Sequence, residues 1–222
     1  MCGRFGVKFS VKELTNVYKL SKTPKFDIKP RYNVAPSQLI LGITKNSPLV
    51  ATEMLWGFVP SWSNPKTSKF KPINARDDKL TGGFYRVDFS THRCIIPASF
   101  FYEWKRVKVD GQEVKQPYLI KVRDTEIFSL AGLYAEHKDA EGKVHKLAAI
   151  ITTKPNSLMK KIHDRMPVII DHNDVSQYLE GDSKDAINLI KPFNSEKMES
   201  WRVSDEVNSP RNDNVDLIKK LK

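Results

Sequence analysis

The sequence is poor in cysteine and has no long apolar run. Its 222 residues include only Cys2 and Cys94, which are too far apart to indicate a disulfide framework or a paired-cysteine zinc site. No segment approaches the roughly 18 apolar residues of a membrane helix, and residues 1–10 lack the apolar stretch of a secretory signal. We therefore expect a cytoplasmic protein in a reducing compartment, nucleoid-associated if the source is bacterial.

The sequence also lacks the spacing of metal ligands. Four of its histidines show no ligand spacing with one another or with Cys94, namely His92, His137, His145 and His172. Cys94 lies in the apolar segment Arg93–Pro97 and is interpreted as a buried structural thiol. No metal and no cofactor are expected.

Acidic residues are scarce in the first part of the chain. The whole sequence has 37 Lys and Arg against 26 Asp and Glu, a formal charge of +11. Residues 1–123 hold 22 basic and 9 acidic side chains, whereas residues 124–222 hold 15 and 17. Such asymmetry favours a polyanionic partner, because cations that neutralise phosphates release counterions. Nucleic acid is the leading candidate; an anionic membrane surface, or a surface made basic for solubility, is the alternative.

The periodic patterns predict an α+β fold on residues 1–222 as a single domain. Ser10 and Glu13 form a capping-box signature for a helix near residues 10–20, and a polar connector with Pro24 and Pro30 follows. Asp110-Gly111 indicates a hairpin turn. Strands are predicted at 38–44, 49–56, 93–100, 101–109, 118–123, 127–134 and 146–152, and later helices at 156–162, 174–179 and 184–190, with Gly181 at a helix end. An antiparallel sheet or an open barrel accounts for this order.

Cys2 carries the most informative chemistry. Removal of Met1 would leave an α-amine and a thiol on adjacent carbons, with ordinary pKa values of roughly 7.7 to 8.0 and 8.5. Such an aminothiol reacts with an aldehyde in two steps. The amine first forms an imine, and the thiol then closes a thiazolidine ring. The amine could instead act as a base to the thiol, as in N-terminal nucleophile hydrolases. A third alternative is that the second residue is incidental.

Two ionisable residues stand inside apolar segments. Glu103 lies between aromatic residues on a predicted strand, where burial would raise its pKa and suit it to donate a proton. The alternative is an edge-strand glutamate paired with Lys105 or Arg106. His163 lies where a predicted helix gives way to an apolar run, which suits either a positioned acid, base or donor, or a core histidine at a helix end.

Two further segments suit contacts with nucleic acid. In Asn74-Ala75-Arg76, a turn-like segment, the amide could bind a sugar or carbonyl and the guanidinium a phosphate, unless Asn74 only bonds its own backbone. Trp56 is interpreted as core, whereas Trp62, near Lys66, Lys69 and Lys71, is the better candidate for stacking on bases.

Together these segments resemble the SRAP family, the abasic-site-processing proteins that crosslink to abasic sites in single-stranded DNA. The matching segments are Met1–Phe5, Arg31–Pro36, Trp56-Gly57, Asn74–Arg76, Arg93-Cys94 with Pro97, Phe101–Lys105, His163–Pro167, Ser200-Trp201 and Asn208–Asn212. Between Lys79 and His92 the match is loose.

The resemblance implies a barrel-like core of twisted antiparallel sheets with flanking helices, and a basic channel that ends at the amino terminus. It implies that Cys2 forms the thiazolidine, that Asn74 and His163 hold the sugar, and that Glu103 is the acid or base. The residues it implies at the DNA are Arg4, Arg76 and Arg165 at flanking phosphates, with Pro36 and Trp104 near the strand; Trp62 is added from the aromatic pattern described above. Family members are described as removing their own Met1, and we expect a monomer.

Three functions follow from these observations. The first is an enzyme that crosslinks itself to abasic sites during the DNA damage response, with lyase chemistry at the imine stage. The second is a thiol peptidase or hydrolase with an N-terminal nucleophile. The third is a non-enzymatic module that binds single-stranded DNA, in which Cys2 has no chemical role.

Overall fold

The computed structural model describes residues 2–20, 24, 28–45 and 49–221, and β-strands dominate this part of the chain. Its strands are β1 (Arg4–Val7), β2 (Arg31–Val34), β3 (Leu39–Thr44), β4 (Val50–Trp56), β5 (Asn74–Arg76), β6 (Arg93–Ala98), β7 (Phe100–Val109), β8 (Gln112–Val122), β9 (Phe128–Lys138), β10 (Val144–Thr153), β11 (Met166–Pro167), β12 (Ile169–Ile170) and β13 (Met198–Arg202). Its α-helices are α1 (Val11–Tyr18), α2 (Arg86–Thr91), α3 (Val175–Glu180) and α4 (Ser183–Asn188).

Five of these strands close into a barrel. The hydrogen-bonded order runs β10-β4-β3-β6-β9, and β9 pairs with β10 again, so the sheet returns to its first strand. Fully buried apolar side chains cover both faces of the barrel wall, with Ile43, Ile95 and Leu133 on one face and Met54 and Ile150 on the other. Closure removes the exposed strand edges that an open sheet would present. The barrel-like core and α+β class expected from the sequence are confirmed.

A second sheet, of order β13-β8-β7-β1-β2, packs beside the barrel. Only Ser99 separates β6 of the barrel from β7 of this sheet, so one segment joins the two. The ring centroids of Phe5 on β1 and Trp56 on β4 lie 5.2 Å apart, which continues one core across both sheets. Gly6 is required there, because a Cβ atom would lie 2.0 Å from the Phe100 ring.

Predictions that depend only on neighbouring residues were correct. Ser10 accepts from the Glu13 backbone and Glu13 returns the bond, so the capping box that begins α1 is confirmed. Asp110 and Gly111 have φ angles of 50° and 80°, as a two-residue hairpin turn between β7 and β8 requires. All seven predicted strands are present, although β8 begins at Gln112, earlier than expected.

Other local predictions were wrong. The helix predicted at 156–162 is only a 3-10 turn at Met159–Lys161, and 74–76 is a strand rather than a turn. Strands β1, β2 and β13 and helix α2 were missed, because each is six residues or shorter and the strands pair with segments remote in sequence. Most of the connector predicted after α1 falls at 21–23 and 25–27, outside the described residues. Within the described ranges, no helix is long and apolar enough to cross a membrane.

Candidate active site at the start of strand β1

Strand pairing brings Cys2 to the side of β7. β1 runs antiparallel to β7 with Arg4 opposite Tyr102, so the residues just before β1 lie beside Glu103 and Trp104. Cys2 is fully buried. Burial raises the pKa of its thiol, and the nearby Glu103 carboxylate raises it further. The resting thiol is therefore neutral, which the sequence did not predict from the ordinary pKa of cysteine.

Asn74 is joined directly to Cys2. It opens β5, which pairs in parallel with β10 through Asn74 and Ile150. Nδ2 of Asn74 donates to the Cys2 carbonyl at 3.0 Å, and the Tyr85 hydroxyl donates to the Asn74 carbonyl at 3.2 Å. Oδ1 of Asn74 is buried and has no hydrogen-bond partner within the described part of the chain. A buried acceptor in this state suits a ligand that brings its own donor.

Glu103 lies in β7 on the face turned toward Cys2. Its side chain is only 2% exposed, so the alternative of an edge-strand glutamate paired with Lys105 or Arg106 is wrong. Burial raises the pKa of Glu103, and the His163 charge counteracts part of that effect. A carboxyl group of raised pKa retains its proton to higher pH and can donate it to a substrate oxygen.

His163 completes the group from the segment that follows the 3-10 turn Met159–Lys161. Its Nε2 lies 3.9 Å from Oε2 of Glu103. Its Nδ1 accepts the backbone N–H of Arg165 at 3.0 Å and lies 2.9 Å from Oδ1 of Asp164. Nδ1 is thus engaged by its own segment, and Nε2 is the ring nitrogen that faces Glu103.

The three arginines expected at the DNA have different surroundings. Arg165 donates a hydrogen bond to Asp77 at 2.8 Å. Burial of Asp77 acts to raise the pKa of its carboxyl group, but the hydrogen bonds from Thr153 and Arg165 lower that pKa by more. Arg76 is exposed and forms a bidentate pair with Asp78.

Arg4 is held by three hydrogen bonds. It donates to Oδ1 of Asn33 at 2.8 Å and to the carbonyls of Val207 and Asn208 at 2.6 and 3.0 Å. These bonds fasten the C-terminal segment next to the residues that follow Cys2. Arg4 thus has a structural use, which the sequence did not indicate.

An aromatic surface leads from solvent to Asn74. Trp62 is 66% exposed and Phe70 is 62% exposed, and both contact the ring of Phe84, with centroids 6.2 and 5.6 Å away. Phe84 lies 4.9 Å from the ring of Tyr85, whose hydroxyl bonds Asn74. Burial raises the pKa of Tyr85 to about 12, so this hydroxyl stays protonated at neutral pH.

The remaining predicted residues are also placed. Trp56 and Cys94 are fully buried, as expected. Pro36 is half-buried in the turn between β2 and β3, and Trp104 is half-buried on β7, where its Nε1 donates to Oδ1 of Asn208 at 2.6 Å. The structure thus brings Cys2, Asn74, Glu103 and His163 together, although 161 positions separate the first of them from the last.

A family model described as SOS response associated peptidase (SRAP) matches residues 1–210. The chain belongs to the SRAP family. It is 38% identical over 98% of its length to abasic site processing protein YoaM of Bacillus subtilis, covering 97% of that protein. It is 30% identical over 86% of its length to abasic site processing protein HMCES of Xenopus tropicalis, covering 66% of that chain.

A solved structure shares the SRAP chain's fold. This crystal structure of a Bacteroides thetaiotaomicron protein is 25% identical, covers 100% of both chains and superposes with a TM-score of 0.83. The family resemblance inferred from the motifs is therefore confirmed.

Sequence motifs missed several residues around this SRAP site. Phe84 and Tyr85 lie between Lys79 and His92, where the motif match is loose, and Phe70 follows the segment around Trp62. The adjacent aromatics Phe84-Tyr85 in a polar segment were the available signal. Among the residues described here, no three His, Cys, Asp or Glu side chains are grouped closely enough to hold a metal ion.

Proposed function

We propose that this protein processes abasic sites in single-stranded DNA and forms a covalent thiazolidine crosslink through Cys2 once Met1 has been removed. The observation that carries the proposal is the meeting of Cys2 with Asn74, Glu103 and His163 at the start of β1. Membership of a family whose relatives are named abasic site processing proteins supports the choice of substrate. Met1 itself lies outside the described residues.

The first step is the opening of the abasic sugar. In the closed sugar, C1′ is a hemiacetal carbon, and the aldehyde is released when the ring oxygen takes up a proton while the C1′ hydroxyl loses one. Glu103 is suited to donate the first of these protons, because burial raises the pKa of its carboxyl group, which then holds its proton to higher pH. The Nε2–H of His163, facing Glu103, is suited to bind the oxygen on which charge develops.

The second step joins the sugar to Cys2. The free α-amine adds to C1′, water leaves and an imine forms; the thiol then adds across the C=N bond, its sulfur to carbon and its proton to nitrogen. Burial disfavours the thiolate of Cys2, which supports the order of amine first and thiol second. Oδ1 of Asn74, buried without a protein partner in the described residues, is suited to accept a sugar hydroxyl.

The basic charge and the aromatic surface supply the DNA contacts. Bases of a single strand can stack on the exposed rings of Trp62 and Phe70, because every base has an aromatic face. Arg4, Arg76 and Arg165 are proposed at flanking phosphates, with Pro36 and Trp104 near the strand. Arg76 is the most available of the three, because its partner Asp78 is exposed and such pairs exchange readily.

The decisive experiment incubates the Met1-processed protein with an oligonucleotide that carries one abasic site, followed by a denaturing gel and mass spectrometry. We expect a denaturation-resistant adduct with the mass of protein plus DNA minus one water. Cys2→Ala should form no thiazolidine, and loss of the thiol with the amine retained should shift the outcome toward strand cleavage by β-elimination from the imine. Cys94→Ala, the other buried cysteine, is the matched control and should crosslink like the wild type.

The same samples separate the alternatives. An N-terminal nucleophile hydrolase would cleave a peptide or amide added without DNA. A non-enzymatic binding module would show salt-sensitive binding with no preference for abasic DNA and no effect of Cys2→Ser on affinity. Absence of an adduct with processed wild-type protein would refute the proposal. We further propose a cytoplasmic monomer that acts in the DNA damage response.

A further inference from the structure

A cavity lies beside the candidate active site and extends it along β7. Its volume is about 470 Å³, and its lining residues are Glu103, Trp104, Arg106, Lys115, His163 and Asn208. β7 pairs with β1 only as far as Tyr102, so from Glu103 onward this side of β7 has no strand partner among the described residues. The cavity therefore lies beside β7 just before the start of β1, and the Glu103–His163 pair lines it.

The wall of the cavity has an unfavourable charge pattern. Arg106 on β7 stands directly opposite Lys115 on β8 in the antiparallel register, so both side chains project from the same face. Like charges in this position destabilise a sheet. Lys108 opposite Glu113, two pairs further along and on the same face, has the usual complementary arrangement. An anion between Arg106 and Lys115 would turn the unfavourable pair into a binding site.

The carboxylate of Glu113 does not neutralise this pair. Arg106 reaches Glu113 at 3.5 Å, but the two side chains are 70% and 58% exposed. An exposed ion pair of this kind contributes little and is screened by salt. Arg106 can therefore leave Glu113 for a phosphate, which a guanidinium binds through two parallel hydrogen bonds.

Asn208 supplies a third donor from the far end of the chain. Its Oδ1 accepts the Trp104 indole N–H at 2.6 Å, and its carbonyl is held by Nη2 of Arg4 at 3.0 Å. The preceding Val207 is fully buried and anchors this segment on the second sheet. Because Oδ1 is engaged by Trp104, the amide is fixed in orientation and its NH₂ group is left to donate.

We propose that Arg106, Lys115 and Asn208 form a subsite for a backbone phosphate of the DNA strand, next to the abasic sugar held at Glu103 and His163. This inference rests on the proposed function and adds to it a specific set of phosphate ligands. The two cations neutralise the phosphate charge and Asn208 fixes its position through a neutral hydrogen bond. Trp104, whose indole N–H holds Oδ1 of Asn208, acts as a positioning residue.

The test uses single-stranded DNA with a tetrahydrofuran abasic analogue, which has no aldehyde and cannot crosslink. Binding is measured by fluorescence anisotropy as a function of salt concentration. The double variant R106Q/K115Q should lower the salt slope by about 0.7 for each lost contact, so that from 50 to 200 mM salt the wild type loses about 7-fold more affinity than the variant. K12Q/K108Q removes the same charge from exposed positions outside the cavity and should keep the wild-type slope.

Two substitutions of Asn208 distinguish phosphate binding from a purely structural role. Asn208→Ala should weaken binding by about 2- to 10-fold with an unchanged salt slope, because a neutral donor is lost. Asn208→Asp keeps the acceptor for Trp104 but sets a carboxylate against the phosphate, so it should bind more weakly than Asn208→Ala. If Asn208 served only to hold Trp104, Asn208→Asp would bind like the wild type.

The outcomes separate this subsite from the proposed function. A salt slope for R106Q/K115Q equal to that of K12Q/K108Q, with all proteins folded by circular dichroism, would overturn the subsite. So would wild-type binding by Asn208→Asp. Failure of the wild type to crosslink aldehyde-bearing abasic DNA would instead refute the proposed function, whatever the salt slopes.

Discussion

Nε2 of His163 lies 3.9 Å from Oε2 of Glu103, and the carboxyl group is almost completely buried while the imidazole is partly open to the cavity. This arrangement gives the two groups different tasks. Glu103, desolvated and of raised pKa, is the stronger candidate for a proton donor. His163, with Nδ1 held by the Arg165 backbone, presents Nε2 beside it in a fixed orientation. An acid and a fixed donor on one side of a sugar suit the opening of a hemiacetal.

Crosslinking should depend on pH through Glu103. The protonated carboxyl group opens the sugar and the unprotonated Cys2 amine attacks it, so the rate should pass through a maximum between the pKa values of the two groups. Glu103→Gln should slow the reaction by about 100-fold or more, the usual contribution of a positioned acid, and should remove the alkaline limb. Single-turnover rates between pH 5 and 9 test this, and an alkaline limb that persists in Glu103→Gln would assign it to another group.

The same substitution should stabilise the fold. A carboxyl group whose pKa is raised by folding binds its proton more tightly in the folded state, so stability is greatest below the unfolded pKa and falls as pH rises toward the folded pKa. Glu103→Gln removes this penalty without changing the shape of the side chain. We expect a higher Tm at pH 7, by about 2 to 4 °C for each 1 kcal/mol gained, and no difference near pH 4. Equal melting temperatures at pH 7 would contradict the buried-acid interpretation.

Asn74 should matter through its bond to the Cys2 carbonyl. Asn74→Ala removes that donor and the buried acceptor Oδ1, so we expect the crosslinking rate to fall by about 5- to 150-fold, corresponding to about 1 to 3 kcal/mol. Asn194→Ala removes an amide that only caps the 3-10 turn Ser195–Lys197 and is the matched control. Adduct formation and Tm are measured together. A loss of rate of similar size in the control would point to general destabilisation.

Trp62 should affect DNA binding and leave stability unchanged. Loss of one stacked base contributes about 1 to 3 kcal/mol, so Trp62→Ala should weaken binding of single-stranded DNA by about 5- to 150-fold. Because the ring is largely exposed, Tm should stay within about 1 °C of the wild type. Trp62→Phe keeps an aromatic face and should recover most of the affinity. Val215→Ala, at another exposed apolar position, should bind normally.

Much of the chemistry of the site could be predicted from the sequence. Cys2 directly after Met1 indicated an aminothiol, and Glu103 among aromatic residues indicated a carboxyl group of raised pKa; the direction of that pKa change is confirmed. The capping box at Ser10 and the Asp110-Gly111 turn were also predictable, because each depends on residues next to one another. The burial of the Cys2 thiol was not predictable, since it depends on which strands cover it.

The sequence by itself determined the reactive residues, the barrel-like fold class, the basic charge of residues 1–123 and the family. Each of these depends on residue identity or short-range pattern, which no folding event alters. Only the tertiary structure decided that β1 begins beside Glu103, that Asn74 bonds the Cys2 carbonyl, and that Arg106, Lys115 and Asn208 line one cavity. These relationships join positions far apart in the chain, and strand register and the packing of buried side chains fix them.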